Sequence, residues 1–267
     1  MENVNSHDVP VEAETPYPCF VPYRETKESK VTLYCVPYAG AGPRVYNSWY
    51  EQLPEYVDLI GICLPGREHR LLQSPHQQIN SVTQELSEAI MSKGEHEFIL
   101  FGHSLGGLIA YDLACYLTRE GFSPAHLIAS GTLPPHVRRK AAQPFYAMDT
   151  DDMLEGIANY IGLPNGIGSN KRVLKIFSKI IRADLNIEAN YEHTWEDRLA
   201  CGLTVFSGMH DPDAKPEMME LWQELCQGEF AHYCFDGGHL FIDEQFENCM
   251  STVSFVALKV LDRINQS

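Results

Sequence analysis

The segment 102–106, Gly-His-Ser-Leu-Gly, constrains the fold of this chain more than any other. An apolar run at 97–101 precedes it, and apolar residues with helical spacing follow it from 108 to 117. A serine on a turn between a strand and a helix has a strained backbone and an outward-pointing hydroxyl, and glycine fits two positions to either side. A plain loop could give the same letters, since Gly and Ser are common in turns. The flanking strand and helix favour Ser104 as a candidate nucleophile.

Strand and helix patterns alternate along the chain, which predicts an α/β fold with a mostly parallel sheet flanked by helices. Strands are expected at 31–36, 57–63, 97–101, 125–130, 203–207 and 230–235, and helices at 46–53, 79–91, 108–117, 216–226 and 243–261. Between 134 and 195 only helical patterns occur. An insertion after the fourth strand would cover the carboxyl ends of the strands, where ligands of such sheets bind. We therefore expect a core of 30–133 and 196–267, a helical lid at 134–195 and a flexible tail at 1–29.

Charge and composition exclude several classes of function. The 267 residues carry a formal net charge of −16, which disfavours nucleic acid and anionic membranes as partners. The eight cysteines are scattered without a Cys-x-x-Cys pair, which indicates free thiols in a reducing compartment rather than disulfides or a zinc site. No run approaches the ~20 apolar residues of a membrane helix, and the polar, acidic start is unlike a signal peptide. A cytoplasmic location is expected.

A serine hydroxyl needs a base within hydrogen-bond reach and an acid to orient that base. Of eleven histidines, His239 is the best candidate, because it follows the sixth strand by a short Asp-Gly-Gly loop at the same sheet edge as Ser104. His210 is the alternative base, and His103, inside the turn, is interpreted as structural. Asp211 follows the fifth strand and is the candidate acid, with Asp213 as the alternative. The order serine, acid, histidine is the one that α/β hydrolases show.

The oxyanion formed when the serine attacks a carbonyl requires two backbone N–H donors. Leu105, at the start of the helix after Ser104, is expected to supply one, with the helix dipole favouring negative charge there. The loop 37–42, Pro-Tyr-Ala-Gly-Ala-Gly, follows the first strand, and we call it the oxyanion loop. Ala39 is the candidate for the second donor. The alternative is a tight turn that merely needs glycine; a phosphate-binding loop is disfavoured because Gly-Lys-Ser/Thr is missing.

Six short motifs run through the chain: Cys-Val-Pro-Tyr-Ala-Gly at 35–40, Leu-Pro-Gly-Arg-Glu at 64–68, Phe-Gly-His-Ser-Leu-Gly at 101–106, Ile-Arg-Ala-Asp-Leu at 181–185, Gly-Met-His-Asp at 208–211 and Gly-Gly-His at 237–239. In this order they resemble the motifs of the type II thioesterases, the stand-alone editing enzymes of nonribosomal peptide and polyketide synthases, within the α/β-hydrolase superfamily. They are also similar to those of the medium-chain acyl-carrier thioesterases. Two departures are an Ala-Gly-Ala-Gly at 39–42, where Ala-Gly-Gly-Ser is commoner, and Leu240, where Phe is usual.

The resemblance implies an acyl group bound as a thioester to the phosphopantetheine arm of an acyl- or peptidyl-carrier protein. Hydrolysis would proceed through acyl-Ser104 and needs no cofactor or metal. No role can be derived for the motif at 64–68, and the simplest interpretation is that Arg67 and Glu68 anchor a loop. Two alternatives remain: a carrier-protein acyltransferase, whose motif usually continues with Glu where this chain has Gly107, and a noncatalytic binding protein of the same fold.

Carrier proteins are commonly acidic, so this acidic chain should need a local basic surface to bind one. Two candidates lie in the expected lid: Arg138, Arg139 and Lys140, and a helix face with Lys171, Lys175 and Lys179. The alternative is a solvated helix face that keeps the lid soluble.

Overall fold

One sheet of seven strands organises the computed structural model, which describes residues 17–137, 148–160, 171–196 and 198–266. The strands are β1 (Phe20–Arg24), β2 (Val31–Val36), β3 (Val57–Ile62), β4 (Phe98–His103), β5 (His126–Ser130), β6 (Gly202–Gly208) and β7 (Phe230–Phe235). Their order is β1-β3-β2-β4-β5-β6-β7, with β2 to β7 parallel and β1 antiparallel to β3. The predicted α/β fold with a mostly parallel sheet is confirmed.

Helices cover both faces of the sheet. They are α1 (Ile79–Met91), α2 (Leu105–Arg119), α3 (Thr150–Tyr160), α4 (Lys171–Ala189), α5 (Pro216–Met219), α6 (Phe241–Glu244) and α7 (Phe246–Gln266), with short 3-10 helices at Pro43–Glu51, Glu68–Arg70 and Glu220–Leu225. Side chains alternate along β2, so Tyr34 and Val36 pack in the apolar cluster with α1 and α2, whereas Leu33 and Cys35 pack in the cluster with α7. The buried parallel strands place their carboxyl ends at one edge.

The structure differs from the sequence prediction at β1, which lies within the expected tail. Phe20–Arg24 forms the edge strand of the sheet, and its register shifts between Pro22 and Arg24. Proline is tolerated on an edge strand and at a bulge because no ladder hydrogen bond is lost there. The Arg24 side chain donates to the carbonyls of Val57 and Leu53 at 3.0 and 3.1 Å, which fixes the strand to the core. Residues 1–16 of the expected tail lie outside the described residues.

The segment expected to be a lid contains α3 and α4, and its described ends at 134–137 and 190–195 are turns and irregular backbone. Met153 and Leu154 of α3 form a small apolar cluster with Phe177 and Ile181 of α4, and Ala39 packs against it. Residues 138–147 and 161–170 lie outside the described part, so the lid boundaries stay a prediction. Among the described helices, none has both the length and the apolar composition needed to cross a membrane. All eight cysteines are free thiols, and seven are buried.

Candidate active site

Ser104 lies on a sharp turn between β4 and α2. Its backbone has φ 55° and ψ −120°, a strained conformation for a residue with a side chain. The Ser104 N–H donates to the Ser130 carbonyl at 2.8 Å, which fixes the turn to β5. A Cβ at Gly102 would lie 2.0 Å from the Gly106 carbonyl oxygen, and a Cβ at Gly106 would lie 2.1 Å from the Val36 carbonyl oxygen. Both glycines are therefore required by backbone contacts, as the sequence pattern predicted.

Ser104, His239 and Asp211 form a continuous hydrogen-bonded series. His239 Nε2 lies 3.0 Å from Ser104 Oγ, and His239 Nδ1 lies 2.8 Å from Asp211 Oδ2. A carboxylate can only accept, so Nδ1 carries the imidazole proton and Nε2 accepts from the serine hydroxyl. The side chains of His239 and Asp211 are 9% and 0% exposed, which limits competition from water.

Asp211 stays ionised because of its hydrogen bonds. Burial favours the protonated carboxyl, but the hydrogen bond from His239 and those from two backbone N–H groups outweigh it and lower the pKa of Asp211. The N–H groups of Asp213 and Ala214 donate to Asp211 Oδ1 at 3.0 and 3.1 Å. The side chain of Asp213 itself points into solvent. Asp213 therefore contributes a backbone donor to Asp211, and Asp211 is the carboxylate that accepts the hydrogen bond from His239.

The other two candidate histidines lie elsewhere. His210 is exposed, and its Nε2 lies 3.2 Å from Asp236 Oδ1. His103 is fully buried, with Nδ1 at 2.9 Å from Ser130 Oγ and its ring centroid 5.2 Å from that of His239. Burial, followed by the nearby imidazole of His239, lowers the pKa of His103 to about 3, so this ring is neutral. The structure thus joins His239, rather than His210, to Ser104.

The two candidate oxyanion donors lie on segments that meet at the start of α2. Leu105 is the first residue of α2, where backbone N–H groups have no partner within the helix. The carbonyl oxygens of Val36 and Pro37 lie against Gly106, which brings the first turn of α2 next to the oxyanion loop. Neither Leu105 N–H nor Ala39 N–H has an acceptor among the described residues.

The thioesterase-domain family model matches residues 31–256 of the chain. This chain belongs to the thioesterase family. The human medium-chain S-acyl fatty acid synthase thioesterase is 30% identical to it, over 80% of this chain and 82% of that protein. The protein named linear gramicidin dehydrogenase LgrE, from Brevibacillus parabrevis, is 29% identical over 85% of this chain and 88% of its own.

A solved structure extends the comparison to three dimensions. RedJ, a thioesterase from the prodiginine biosynthetic pathway of Streptomyces coelicolor, superimposes with a TM-score of 0.81 at 29% identity, covering 91% of this thioesterase and 98% of RedJ. The predicted resemblance to the type II thioesterases and the predicted thioester hydrolase activity are confirmed. The name of LgrE denotes a redox activity of that protein, whereas the matched family, the human relative and RedJ are all thioesterases.

A buried ion pair that the sequence did not predict lies beside the oxyanion loop. Arg67 Nη2 lies 2.7 Å from Asp184 Oδ1, and the two side chains are 5% and 1% exposed. The pair joins the motif at 64–68, which had no derived role, to the motif at 181–185 on α4. Both motifs were visible in the sequence of this thioesterase, but their 117-residue separation gave no signal that the two side chains meet.

Cys63, Glu68 and His69 have potential metal-ligand atoms within 4.8 Å of one another among the described residues. Burial, with the nearby Glu68 carboxylate, raises the pKa of Cys63 to about 11, so its thiol is protonated. That thiol donates to the Leu64 carbonyl, and His69 bonds the Pro18 carbonyl. These contacts give the group a structural role.

Proposed function

We propose that this thioesterase hydrolyses acyl thioesters on carrier proteins with Ser104 as nucleophile, His239 as general base and Asp211 as the acid that orients it. The observation that carries the proposal is the hydrogen-bonded series from Ser104 Oγ through His239 to Asp211 Oδ2. Its two distances lie in the range required for proton transfer between serine and histidine and for fixing the histidine tautomer.

The first half of the reaction forms an acyl-enzyme. His239 Nε2 takes the hydroxyl proton as Ser104 Oγ bonds to the thioester carbonyl carbon, and the carbonyl oxygen becomes an oxyanion held by Ala39 and Leu105 N–H. The C–S bond then breaks. A thiolate of pKa ~8.5 is a good leaving group and requires little help from an acid. The proton on His239 restores the thiol of the phosphopantetheine arm.

The second half releases a free acid. His239 takes a proton from water as the water oxygen attacks acyl-Ser104, and the ester bond breaks with return of that proton to Ser104. His239 is cationic in both transition states. The ionised Asp211 stabilises that cation, and the neutral His103 beside it adds no opposing charge.

The names of two relatives support a carrier-bound substrate. One is a fatty acid synthase thioesterase and the other a thioesterase of a biosynthetic pathway. We propose that the acyl group is delivered on the phosphopantetheine arm of an acyl- or peptidyl-carrier protein, for release or editing in nonribosomal peptide, polyketide or fatty acid synthesis. A cytoplasmic location fits eight free thiols and stays a proposal.

The site disfavours an acyltransferase. A Cβ at Gly107, where acyltransferases usually have Glu, would lie 2.5 Å from Thr132 Cγ2, so the space for a larger side chain is filled. Hydrolysis of a small acyl-pantetheine in ¹⁸O-labelled water, with excess deuterium-labelled pantetheine as a competing acceptor that mass spectrometry distinguishes from the substrate thiol, tests the proposal. We expect the free acid to contain one ¹⁸O atom. Acyl exchange onto the added thiol without acid would indicate a transferase, and an unchanged substrate would indicate a noncatalytic protein.

A basic face on α4 is a candidate docking surface for the carrier. The side chains of Lys175 and Lys179 are exposed there. The Lys171 side chain and the other candidate, Arg138 to Lys140, lie outside the described residues. Opposite charge on an acidic carrier would favour its encounter with this face over the rest of an acidic surface.

Reversing charge at Lys175 and Lys179 with Glu should raise KM for an acylated carrier several-fold and weaken its dependence on salt, because the local attraction is lost. Hydrolysis of a small acyl-pantetheine should hardly change. Steady-state kinetics at two salt concentrations measures both. The same reversal at the exposed Lys27 and Lys30, on the loop between β1 and β2, is the matched control. Equal loss on both substrates would indicate a damaged lid, and no loss on either would exclude docking at this face.

A further inference from the structure

Arg67 and Asp184 bind the oxyanion loop to α4. Arg67 Nη1 and Nη2 donate to Asp184 Oδ2 and Oδ1 at 2.9 and 2.7 Å, a bidentate pair buried from solvent. Each partner also bonds the loop: Arg67 Nη1 donates to the Ala41 carbonyl at 2.7 Å, and Asp184 Oδ2 accepts from Gly40 N–H at 2.7 Å. The pair therefore fixes the backbone on the carboxyl side of Ala39 at two points.

The geometry of the loop transmits this restraint to the Ala39 N–H. Ala41 N–H donates to the Tyr38 carbonyl at 3.0 Å, and Gly40 has φ 79°, as the third residue of a type II turn requires. The Tyr38 carbonyl and the Ala39 N–H belong to one planar trans peptide and point in opposite directions. A bond to that carbonyl therefore sets the direction of the Ala39 N–H, while Asp184 holds the next peptide plane through Gly40.

Apolar contacts place α4 directly on the same turn. A Cβ at Gly40 would lie 2.8 Å from Ile181 Cδ1 and 3.0 Å from Phe177 Cε2. Phe177, Ile181 and Asp184 are spaced four and three residues apart, so they share one face of α4. A movement of α4 away from the loop would remove both this packing and the acceptor of Gly40 N–H.

We propose that Arg67 and Asp184 are positioning residues that aim the Ala39 N–H at the oxyanion, so that the active site is complete only while α4 lies against the oxyanion loop. This inference rests on the proposed function. A misdirected donor costs transition-state stabilisation, because its value depends on pointing at the oxygen where charge develops. The change should leave ground-state binding of the substrate unaltered, and also the hydrogen bonds from Ser104 to His239 and from His239 to Asp211. The effect should therefore fall on kcat rather than on KM.

The test is the double variant Arg67→Met/Asp184→Leu. Replacing a buried ion pair by apolar residues of similar volume is often neutral for stability, whereas removing one partner leaves a buried charge unpaired. We expect a folded variant with a modestly lower Tm, because Gly40 N–H and the Ala41 carbonyl lose their partners. The kcat for a small acyl thioester should fall about 10- to 100-fold, with KM within about threefold. The matched control is Arg70→Met/Glu85→Leu, which removes an ion pair of 2.5 Å between the 3-10 helix Glu68–Arg70 and α1 without touching the oxyanion loop. It should retain wild-type kcat.

An alkylboronic acid supplies a second readout that a purely structural role would not change. It forms a tetrahedral adduct with an active serine, and one boron-bound oxygen lies where the oxyanion would be. Its affinity should fall in the double variant by the same factor as kcat/KM, as expected for a transition-state analogue. If the double variant does not fold, Arg67→Lys decides, because it keeps a cation beside Asp184 but cannot reproduce the bidentate pair and the bond to the Ala41 carbonyl together; kcat should then fall several-fold with KM unchanged.

Three results would each overturn a claim. Wild-type kcat and boronate affinity in a folded variant would exclude the positioning role while leaving thioester hydrolysis intact. A wild-type enzyme that hydrolyses no acyl thioester would instead exclude the proposed function on which the inference rests. A fall in kcat that only follows a fall in Tm, with boronate affinity retained, would show a structural pair and also overturn the inference.

Discussion

Replacing Ser104 by alanine should eliminate measurable hydrolysis of acyl thioesters, with a loss in kcat on the order of 10³–10⁶. The hydroxyl is the atom that bonds to the carbonyl carbon, and water held by His239 cannot reproduce the acyl-enzyme route. The fold should be unaffected, because the strained turn is fixed by the Ser104 backbone and by its flanking glycines rather than by the hydroxyl. Initial rates and thermal unfolding measure the two effects separately.

Ser207→Ala is the matched control for this change. Ser207 lies near the carboxyl end of β6, and its Oγ bonds His232 Nε2 at 2.8 Å, so it is also a serine paired with a histidine. We expect less than about a tenfold change in kcat. Retention of more than about a tenth of wild-type kcat by Ser104→Ala would remove Ser104 from the nucleophile role, given the size of triad effects.

Asp211→Asn should lower kcat by about 10²–10⁴, with the His239 ring still in place. An amide N–H₂ facing His239 Nδ1 would favour the tautomer with the proton on Nε2, which cannot accept the Ser104 proton. The loss should be visible in steady-state kinetics with a small acyl thioester, without a comparable change in KM.

Asp213→Asn provides the comparison two residues away. Asp213 reaches the site through its backbone N–H, 3.0 Å from Asp211 Oδ1, and the substitution leaves that donor unchanged. We expect nearly wild-type kcat. The reverse ranking of the two variants would transfer the acid role to Asp213.

The sequence pattern around Ser104 was sufficient to predict the turn on which this residue lies. A strand, a glycine-flanked serine and a helix are adjacent in sequence, and the chemistry of the turn depends on those neighbours alone. The placement of His239 and Asp211 followed from one further rule, that the carboxyl ends of parallel strands share an edge. The hydrogen bonds among the three side chains agree with that expectation.

Pairings between distant segments were not predictable in the same way. Phe20–Arg24 contains a proline and follows a polar start, so it lacked a strand pattern, and its place in the sheet depends on an edge beside β3. The contact of Arg67 with Asp184 depends on how α4 lies over the oxyanion loop. Neither spacing nor periodicity encodes such packing, and so the role of the motif at 64–68 emerged only in three dimensions.

Deacylation of a carrier protein by this thioesterase can be followed by intact-mass spectrometry of the acylated carrier before and after incubation with the enzyme. We expect the carrier to lose the mass of its acyl group and return to the form with a free phosphopantetheine thiol, with release of the free acid. Ser104→Ala should leave the carrier acylated. A carrier that keeps its acyl mass with the wild-type enzyme, or passes it to a second thiol without release of acid, would exclude hydrolysis of carrier-bound thioesters by Ser104.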